Sequence, residues 1–437
     1  MNSLLQLSPQ AFISFLQKNK IRRLHFIWNP ETQRVEASHA VLQPIADFMQ
    51  HDRRDFLRHE GIFLQVTRQH NTLQGAFVHN THRGQGAGGT RFWGYQTLEE
   101  YLRDGLRLSK GMTRKNALAG LWWGGGKGVI ARNPELDNND PRIRADLFRE
   151  YGELMTALRG CYVTAEDVGT DTSDMAHIFS KTRFITCIPP ELGGSGNPSV
   201  PTATGVLRGM EAALAFADGG TIAGRTVAVQ GMGNVGWPLI RMLIEKGARR
   251  VFACDISAAR VQRAKETFSE DVLDARLITA GDNEILFSDC DIVAPCATGA
   301  VLNPQTIPRL RAKIVCGAAN NQLEDSERDD LLLFERGIIY VPDFLVNRMG
   351  IVNCANEQYG YVSDDPAVTR HLDTEWEYSI YRKTIEVLQL AREKKAPPAR
   401  TAIYLADRIA REPHPIFGHR GQQIIASLVA ERWYEKD

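Results

Sequence analysis

The stretch RTVAVQGMGNVGWPLIRMLIEKG, residues 225–247, decides how the second half of the chain folds. A short β-branched run leads into G-x-G-x-x-G at Gly231, Gly233 and Gly236, and an amphipathic segment follows. A strand that passes through a glycine turn into a helix is the context in which this pattern predicts a dinucleotide site. The first glycine allows the tight turn, the second lets a pyrophosphate approach the backbone, and the third lets helix and strand pack closely. The free N–H groups at the start of the helix then bind the phosphates.

The next β-branched run, RRVFACD, ends at Asp255, which follows Gly231 by 24 residues. A carboxylate about 20 residues after the glycine turn is expected to bind the ribose hydroxyls, and it would repel a 2′-phosphate. The sequence therefore favours NAD over NADP, although Arg260, one turn into the following helix, would weaken that preference. The alternative is a glycine-rich turn in an α/β fold that binds no dinucleotide.

Short β-branched runs alternate with helical segments on both sides of this motif, which predicts a doubly wound parallel sheet. Before it, GGSGNPSVPTATG at 193–205 is rich in glycine, proline and small polar residues and indicates a domain boundary. Further upstream, alternation around HNTLQG between Phe63 and Val78 predicts a hairpin, and apolar periodicity predicts helices at 98–112 and 146–158. The fold class is therefore α/β with two domains, the second of Rossmann type.

Composition excludes several classes of protein. The 52 basic and 52 acidic residues cancel, which argues against a protein that grips nucleic acid or an anionic membrane surface. No apolar run approaches the ~20 residues that cross a bilayer. The seven cysteines are scattered without a C-x-x-C pair, so we expect a reducing, cytoplasmic setting rather than disulfides or a zinc site. His79 and His82 in HNTH lie in a polar stretch without a second cluster, so solvated surface is favoured there and no metal site is predicted.

The N-terminal segment MNSLLQLSPQAFISFLQKNKIRR is amphipathic and lacks acidic residues, as transit peptides do. It is also typical of a first helix, with Ser8 as N-cap and Pro9 at the first helical position. The following RRLHFIW, NPET and QRVEAS predict a hairpin. Since ordered structure is predicted to continue directly, we expect a folded extension over residues 1–52.

A lone cation in LWWGGGKGVI, residues 121–130, is the main chemical signal of the first half. A phosphate loop is excluded, because it needs glycine six residues before the lysine and Ser or Thr after it, where this chain has Leu121 and Gly128. Lys127 either snorkels from a loop or lies in a dry setting without a neighbouring carboxylate. Desolvation disfavours an ammonium, so a buried lysine is suited to act as a general base.

Two more residues fit the same chemistry. Lys115, in KGMTRKNALAGL, is placed to pair with a substrate carboxylate. Asp167, in TAEDVGT, is predicted to end a strand close to a glycine, where a carboxylate can handle protons.

The motifs together resemble the amino-acid dehydrogenases of the glutamate/leucine/phenylalanine/valine superfamily, and leucine dehydrogenases most of all. The resemblance covers about residues 55–415 and is carried by GAGGTRFW, RLSKGMTRKNALAGLWWGGGKGVI, TAEDVGT, GSGNPSVPTATGV, VQGMGNVG, APCATGAVLN, GAANNQL and VPDFLVN. It implies a reversible oxidative deamination of an L-amino acid to a 2-oxo acid and ammonia, with NAD as cofactor, in a homo-oligomer. It also implies that 53–195 with the C-terminal helices 365–437 form the substrate-binding and oligomerisation domain and that 196–364 bind NAD.

By this resemblance, Lys127 activates water, Asp167 is its proton-transfer partner and Lys115 holds the substrate α-carboxylate. The other substrate-binding positions are Ala87, Gly88, Ala165, Asn320, Ile351 and Cys354. The cofactor-binding positions are Thr202, Gly231, Gly233, Asn234, Val235, Gly236, Asp255, Ala297 and Asn320.

Substrate choice follows from the same comparison of residues. Glutamate dehydrogenases carry a lysine at the position of Ala87 to hold the side-chain carboxylate, and an unpaired buried carboxylate costs several kcal/mol. An apolar, leucine- or valine-like substrate is therefore expected. Arg348 and Met349 depart from the small residues of leucine dehydrogenases; they either point away, or they reshape the pocket and admit a polar or anionic substrate. The alternatives are the same reaction on an aromatic, polar or acidic amino acid, and a catalytically silent NAD- or amino-acid-binding regulator.

Overall fold

The structure, a computed structural model, describes residues 4–436 and divides into two compact units. The first unit comprises the chain as far as Asn197, Cys354–Val362 and the chain from Arg408 onward. The second unit comprises Pro198–Asn353 and Ser363–Asp407.

The first unit is built on a mixed sheet with the strand order β2-β1-β3-β4-β7-β5-β8, and β6 also pairs with β7. Its strands are β1 (Arg23–Asn29), β2 (Arg34–Ala37), β3 (Gly61–Val66), β4 (Leu73–Asn80), β5 (Gly86–Ala87), β6 (Thr90–Trp93), β7 (Gly124–Ala131) and β8 (Tyr162–Val163). Its first helices are α1 (Pro9–Lys18), α2 (Gln43–His51), α3 (Leu98–Leu118), α4 (Pro141–Ala157) and α5 (Thr172–Phe179). The hairpin predicted between Phe63 and Val78 is β3 paired antiparallel with β4.

The N-terminal segment is part of the core of this unit. Ser8 Oγ accepts a hydrogen bond from the Ala11 N–H at 3.1 Å and caps α1, as predicted. The predicted hairpin is β1 paired with β2, and β1 also pairs antiparallel with β3. Phe12 and Phe26 are fully buried in the same cluster as Phe77. Residues 4–52 therefore extend the sheet and its apolar core.

The second unit contains six strands in the order β11-β10-β9-β12-β13-β14, and every pair is parallel. The strands are β9 (Thr226–Gln230), β10 (Arg250–Asp255), β11 (Leu273–Leu277), β12 (Ile292–Pro295), β13 (Ile314–Val315) and β14 (Ile339–Tyr340). The helices that follow Ser199 are α6 (Ser199–Asp218), α7 (Gly236–Glu245), α8 (Ala258–Thr267), α9 (Arg328–Glu335), α10 (Asp343–Val346), α11 (Met349–Glu357), α12 (Pro366–Thr369), α13 (Ile380–Lys394) and α14 (Pro398–Ile409). This strand order is that of a Rossmann sheet, so the predicted fold class is confirmed.

The C-terminal segment divides differently from the expected domains. Ser363–Asp407 belongs to the second unit, because α13 packs on α6 and the Asp330 carboxylate accepts hydrogen bonds from the Ala399 and Arg400 N–H groups. The last helix, α15 (Arg420–Ala430), belongs to the first unit.

Two predicted elements differ in length. α3 continues to Leu118, six residues beyond the predicted end, and its last turns pack on β7. The strand predicted in CYVTAEDVGT is only two residues long, because Thr164 instead pairs with Ile185 in an isolated bridge and TAEDVGT forms a loop. Over residues 4–436, none of the helices combines the length and the apolar character needed to cross a bilayer.

Candidate active site

The glycine run around Lys127 is explained by the packing of β7. A Cβ atom added at Gly126 would lie 2.4 Å from the Tyr162 ring, and one added at Gly128 would lie 2.1 Å from Thr90 Oγ1. Because side chains alternate across a strand, Lys127 points to the opposite face from both glycines. The small residues therefore let neighbouring side chains close on one face, while the lysine occupies the other.

Lys127 is 4% exposed and has a carboxylate partner. Its Nζ donates to Asp167 Oδ2 at 2.6 Å, and Arg91 Nε approaches the same oxygen at 3.4 Å. Arg91 Nη1 also binds both oxygens of Asp104 at 3.1 Å, and the Tyr95 hydroxyl donates to Asp104 at 2.8 Å. The expectation that Lys127 is buried is confirmed. The residues beside it in sequence offer no carboxylate, and its partner Asp167 comes from a loop 40 residues away.

Charge in this network is set by competing effects. Burial raises the pKa of Asp167, but the positive charges of Lys127 and Arg91 outweigh it, so this pKa lies below its usual value. Asp167 is therefore a carboxylate that favours the charged ammonium of Lys127. It lies in a loop rather than directly after a strand, and its N–H donates to Thr170 Oγ1 at 2.9 Å.

Glu166 has the opposite behaviour. Burial, together with repulsion from Asp171 and Asp167, raises the pKa of Glu166 to about 7. Its Oε2 is buried and has no hydrogen-bond partner within residues 4–436. A carboxyl group that titrates near neutral pH thus lies next in sequence to the Lys127 partner.

The predicted substrate positions of the first unit lie in β5 or just after β5 and β8. Ala87 is fully buried and pairs with Gly125 of β7 and Val163 of β8. The Gly88 carbonyl accepts from the Tyr162 hydroxyl at 2.6 Å, and Ala165 is 4% exposed. These three residues have no polar side-chain groups, so they could contact a substrate only through methyl groups and the backbone.

Lys115 is half-buried in the last turn of α3. The next residue, Asn116, donates from Nδ2 to the Gly124 carbonyl at 2.5 Å and so ties this end of the helix to β7. Lys115 and Lys127 are therefore carried by two elements that pack directly together.

Ile351 and Cys354 both lie on α11, and they are 8% and 3% exposed. Cys354 Sγ lies 3.1 Å from Cys187 Sγ. The Glu357 carboxylate accepts from the Cys187 and Ile188 N–H groups at 2.8 Å each and fixes this end of α11 within the first unit.

Arg348 and Met349 are fully buried. The Arg348 guanidinium donates to the Tyr378 carbonyl of the second unit, and burial lowers the pKa of Arg348 to about 9. Burial lowers the pKa of His371, and the positive charge of Arg348 lowers it further. Arg348 is thus enclosed by its own unit, which favours the interpretation that it points away from a substrate.

The glycine loop of the second unit has the geometry of a phosphate cradle. Gly231 has φ = 97°, a conformation suited to glycine, and a Cβ atom at Gly236 would lie 1.9 Å from the Gly231 carbonyl oxygen. At Gly233 a Cβ atom would meet nothing nearer than Arg260 Nη1 at 3.7 Å, so the backbone there is open to a ligand. Asn234 and Val235 lead into α7, where helix N–H groups begin.

Asp255 closes one side of this loop. Its Oδ2 accepts from the Met232 N–H at 2.8 Å, and its Oδ1 accepts from the Ser257 N–H at 2.9 Å. Arg260 Nη1 lies 3.4 Å from the same Oδ2, and its side chain is half exposed. Both the carboxylate and the cation that were predicted to compete over cofactor choice are therefore at the loop.

The remaining cofactor positions surround the carboxyl ends of the strands. A Cβ atom at Gly231 would lie 3.0 Å from Ala297 Cβ, so Ala297 borders the loop. Asn320 is exposed and its Oδ1 accepts from Asn347 Nδ2 at 2.7 Å. Thr202 Oγ1 donates to the Pro198 carbonyl at 2.9 Å in α6, which leaves its lone pairs for another donor.

The sequence reasoning missed Arg91, Asp104 and Glu166. Arg91 lies in the motif GAGGTRFW and Glu166 lies in TAEDVGT, so both belong to stretches that carry the family resemblance. No local pattern links Arg91 to Asp167, since the contact depends on the register of β6 beside β7.

Known protein families match this chain over most of its length. A family described as Glu/Leu/Phe/Val dehydrogenase, dimerisation domain, matches residues 64–184, and one described as Glutamate/Leucine/Phenylalanine/Valine dehydrogenase matches residues 193–411. The chain is similar to leucine dehydrogenase of Geobacillus stearothermophilus, with 43% identity over 77% of this chain and 85% of the relative. It is 38% identical to valine dehydrogenase of Streptomyces coelicolor over 82% of this chain and 93% of the relative.

Among solved structures, L-tryptophan dehydrogenase from Nostoc punctiforme superposes with a TM-score of 0.67 and 32% identity, covering 80% of this chain and 96% of that one. Two matched domains in the expected order, relatives above 30% identity over most of their length, and the paired lysine and glycine loop lead to one conclusion. The chain belongs to the glutamate/leucine/phenylalanine/valine dehydrogenase family of amino-acid dehydrogenases.

Proposed function

We propose that the protein catalyses the reversible, NAD-dependent oxidative deamination of an apolar L-amino acid to its 2-oxo acid and ammonia. The observation that carries this proposal is the buried ion pair between Lys127 and Asp167, whose Nζ and Oδ2 atoms lie 2.6 Å apart. The pair belongs to the first unit, and the glycine loop belongs to the second. A buried lysine poised beside a carboxylate is the group that water activation requires.

The second unit fits a dinucleotide. The open backbone at Gly233, the close packing at Gly236 and the start of α7 form a site for a pyrophosphate, and Asp255 is at the place for ribose hydroxyls. A bound nicotinamide cofactor supplies the hydride acceptor for oxidation at Cα. We infer that Thr202, Ala297 and Asn320 contact its nicotinamide half.

NAD rather than NADP is proposed because the Asp255 carboxylate would face a 2′-phosphate. The positive charge of Arg260 would partly offset the repulsion between Asp255 and a 2′-phosphate, but Arg260 is already paired with Asp255. The preference is therefore expected to be strong but not absolute.

Lys127 acts on the substrate after Cα oxidation. The reaction starts from the ion pair, in which the positively charged Lys127 Nζ donates to the ionised Asp167 carboxylate. A cationic iminium beside Nζ would disfavour that charge, so the proton passes to Asp167 and the neutral amine becomes a base for water. Water then adds to the iminium carbon as Lys127 takes one of its protons, which gives a carbinolamine. Asp167 returns its proton to the amino nitrogen, and ammonia leaves as the carbinolamine loses its hydroxyl proton to solvent and becomes the 2-oxo acid.

Lys115 is proposed to hold the substrate α-carboxylate by a charge-assisted hydrogen bond. The tie between Asn116 and Gly124 fixes its distance from β7. Lys115 thereby orients Cα, while Lys127 performs the proton chemistry.

An apolar side chain is proposed for the substrate because Ala87 and Ala165 are buried and uncharged, and Ile351 and Cys354 have the same character. Leucine, valine, phenylalanine and tryptophan appear in the names of similar proteins that are 32–43% identical to this chain, whereas glutamate appears in the names of solved structures that are 16–24% identical. The enclosure of Arg348 removes the main argument for an anionic side chain.

We also infer a cytoplasmic homo-oligomer. The family that matches residues 64–184 is described as a dimerisation domain. Seven free cysteines, none of them in a disulfide, suit a reducing compartment.

The test is a spectrophotometric screen of the twenty amino acids with NAD, repeated with NADP. Highest kcat/KM with a branched or aromatic apolar amino acid and NAD is expected. A maximum with glutamate or aspartate would refute the proposed pocket, and absence of turnover with any amino acid would refute the enzyme in favour of a silent regulator.

A further inference from the structure

Outside the candidate active site, three side chains from distant parts of the first unit converge on one point. Glu60 precedes β3, His82 follows β4 and His419 precedes α15. One ligand atom from each lies within 4.8 Å of the other two. We propose that Glu60, His82 and His419 form a binding site for one divalent transition-metal ion of the zinc type.

The distances fit such an ion. Glu60 Oε1 lies 3.0 Å from His419 Nε2 and 3.7 Å from His82 Nδ1. Bonds of about 2.0–2.2 Å to nitrogen and oxygen place tetrahedral ligands about 3.4 Å apart, between these two values. The two imidazole rings lie 4.0 Å apart between centroids with their planes tilted by 32°, so both rings border the same point.

The carboxylate is held in place by its surroundings. The Thr81 N–H donates to Glu60 Oε1 at 2.9 Å, and the Thr81 hydroxyl donates to Glu60 Oε2. Such outer contacts orient metal-binding carboxylates. Asn80 Nδ2 lies 3.0 Å from His82 Nδ1, and metal binding replaces that hydrogen bond.

Solvent can reach the ion. The Glu60 side chain is 10% exposed, that of His419 is 23% and that of His82 is 42%. Three protein ligands therefore leave a fourth position for water. A site with histidine nitrogens and a carboxylate oxygen favours zinc-like ions, whereas calcium and magnesium prefer oxygen ligands alone.

Two of the three side chains lie outside the matched family ranges, and His82 lies inside the first of them. Glu60 precedes residue 64 and His419 follows residue 411, the outer limits of those ranges. A bound ion would join the C-terminal tail to the strands β3 and β4, and it would stabilise the first unit because it binds the folded state only.

The test uses the untagged full-length protein, stripped with chelator and titrated with Zn²⁺ by calorimetry. We expect one ion per chain and a rise in Tm with Zn²⁺. His419→Ala and His82→Ala should each weaken binding by at least about 10–100-fold, since loss of outer contacts alone costs that much. His51→Ala, at an exposed histidine of α2, is the matched control and should bind as the unchanged protein does.

A second readout keeps the test independent of variant folding. Co²⁺ bound to the unchanged protein should give the visible absorption of four-coordinate cobalt, and Zn²⁺ should abolish it. Absence of stoichiometric binding, or equal affinity in His419→Ala and the unchanged protein, would show that the three side chains form a hydrogen-bond cluster only. The outcome is independent of dehydrogenase activity, which neither readout uses.

Discussion

Among single residues, the proposed chemistry depends on two opposite charges that are held together away from bulk water. Lys127 and Asp167 are 5% and 17% exposed at their side chains, and Arg91 adds a second cation at the same carboxylate. Removal of one partner from a buried pair leaves an uncompensated charge, which costs about 3–5 kcal/mol. The pair is therefore sensitive to substitution in both stability and rate.

Asp167→Asn should lower kcat by about 10²–10⁴-fold, because the proton acceptor of Lys127 is lost. It should also lower the free energy of unfolding, since Lys127 and Arg91 would face each other without a carboxylate. Steady-state kinetics and denaturant titration measure the two effects. Asp137→Asn, at an exposed aspartate of the same unit, is the control, and equal kinetics of the two variants would contradict the assignment.

Glu166→Gln tests the unusual carboxyl group through pH. With a pKa of about 7 in the folded state, Glu166 keeps a proton there that the unfolded chain loses near its ordinary value of about 4.5. Its contribution to stability is therefore lost as pH rises from about 4.5 to 7. Relative to the unchanged protein, Glu166→Gln should gain stability between pH 5 and pH 8. A difference in unfolding free energy that stays constant over this range would contradict the raised pKa.

Residue chemistry was partly predictable from sequence. The low solvent exposure of Lys127 follows from Trp123, Val129 and the glycines beside it in the chain. Its ion pair does not, because Asp167 lies in a loop whose position depends on the register of other strands. The enclosure of Arg348 by Tyr378 likewise depends on tertiary packing.

At the scale of elements, β7 is the strand that positions the candidate site. It has partners on both sides, and α3 packs across it. Gly126 and Gly128 allow this crowding, since their added Cβ atoms would overlap the ring of Tyr162 and the hydroxyl of Thr90.

Gly128→Ala should therefore destabilise the protein by about 1–3 kcal/mol, the usual cost of overpacking. Gly111→Ala is the matched control: Gly111 lies in α3 with nothing within 4 Å of an added Cβ atom, so alanine should be neutral or stabilising. Denaturant titration compares the two. Similar unfolding free energies would contradict the packing described for β7.

The glycine loop and the end of β10 make a separate prediction about cofactor use. Arg260 is the cation nearest Asp255 Oδ2, and its half-exposed side chain can turn toward a 2′-phosphate. Arg260→Ala should lower kcat/KM with NADP about tenfold, the value of one charge-assisted hydrogen bond, and leave NAD kinetics nearly unchanged. A parallel loss with both cofactors would show that Arg260 serves the loop structure instead.

Elements were predictable where the pattern is local. The cap at Ser8, both hairpins and the strand–glycine–helix unit each depend on residues that are close in sequence, and the structure confirms them. The shortness of β8 was not predictable, because the next residue, Thr164, forms a bridge with Ile185, which lies 21 residues further along the chain.

At the scale of the whole molecule, the first unit joins both ends of the chain. Trp433 is 2% exposed, its ring lies 5.3 Å from that of Phe63, and the Arg23 guanidinium lies over it. The tail thereby covers the strands β1 and β3. Nothing in the sequence indicated this contact, since it joins segments about 400 residues apart.

Trp433→Ala should lower the free energy of unfolding by about 3–5 kcal/mol, as for other buried tryptophans. Trp93→Ala, where the ring is 49% exposed, should cost much less. Thermal and denaturant unfolding of both variants provide the comparison. Equal losses would mean that the tail does not stabilise the first unit.

The central claim is that Lys127 is the base of an amino-acid dehydrogenase. The most direct measurement is the turnover of Lys127→Ala with the best apolar amino acid and NAD, with NAD affinity measured on the same sample. Arg91 remains beside Asp167, so the variant is expected to fold. We predict a loss of kcat of at least about 10²–10⁴-fold with unchanged NAD affinity, whereas near-normal turnover would show that Lys127 is not the base.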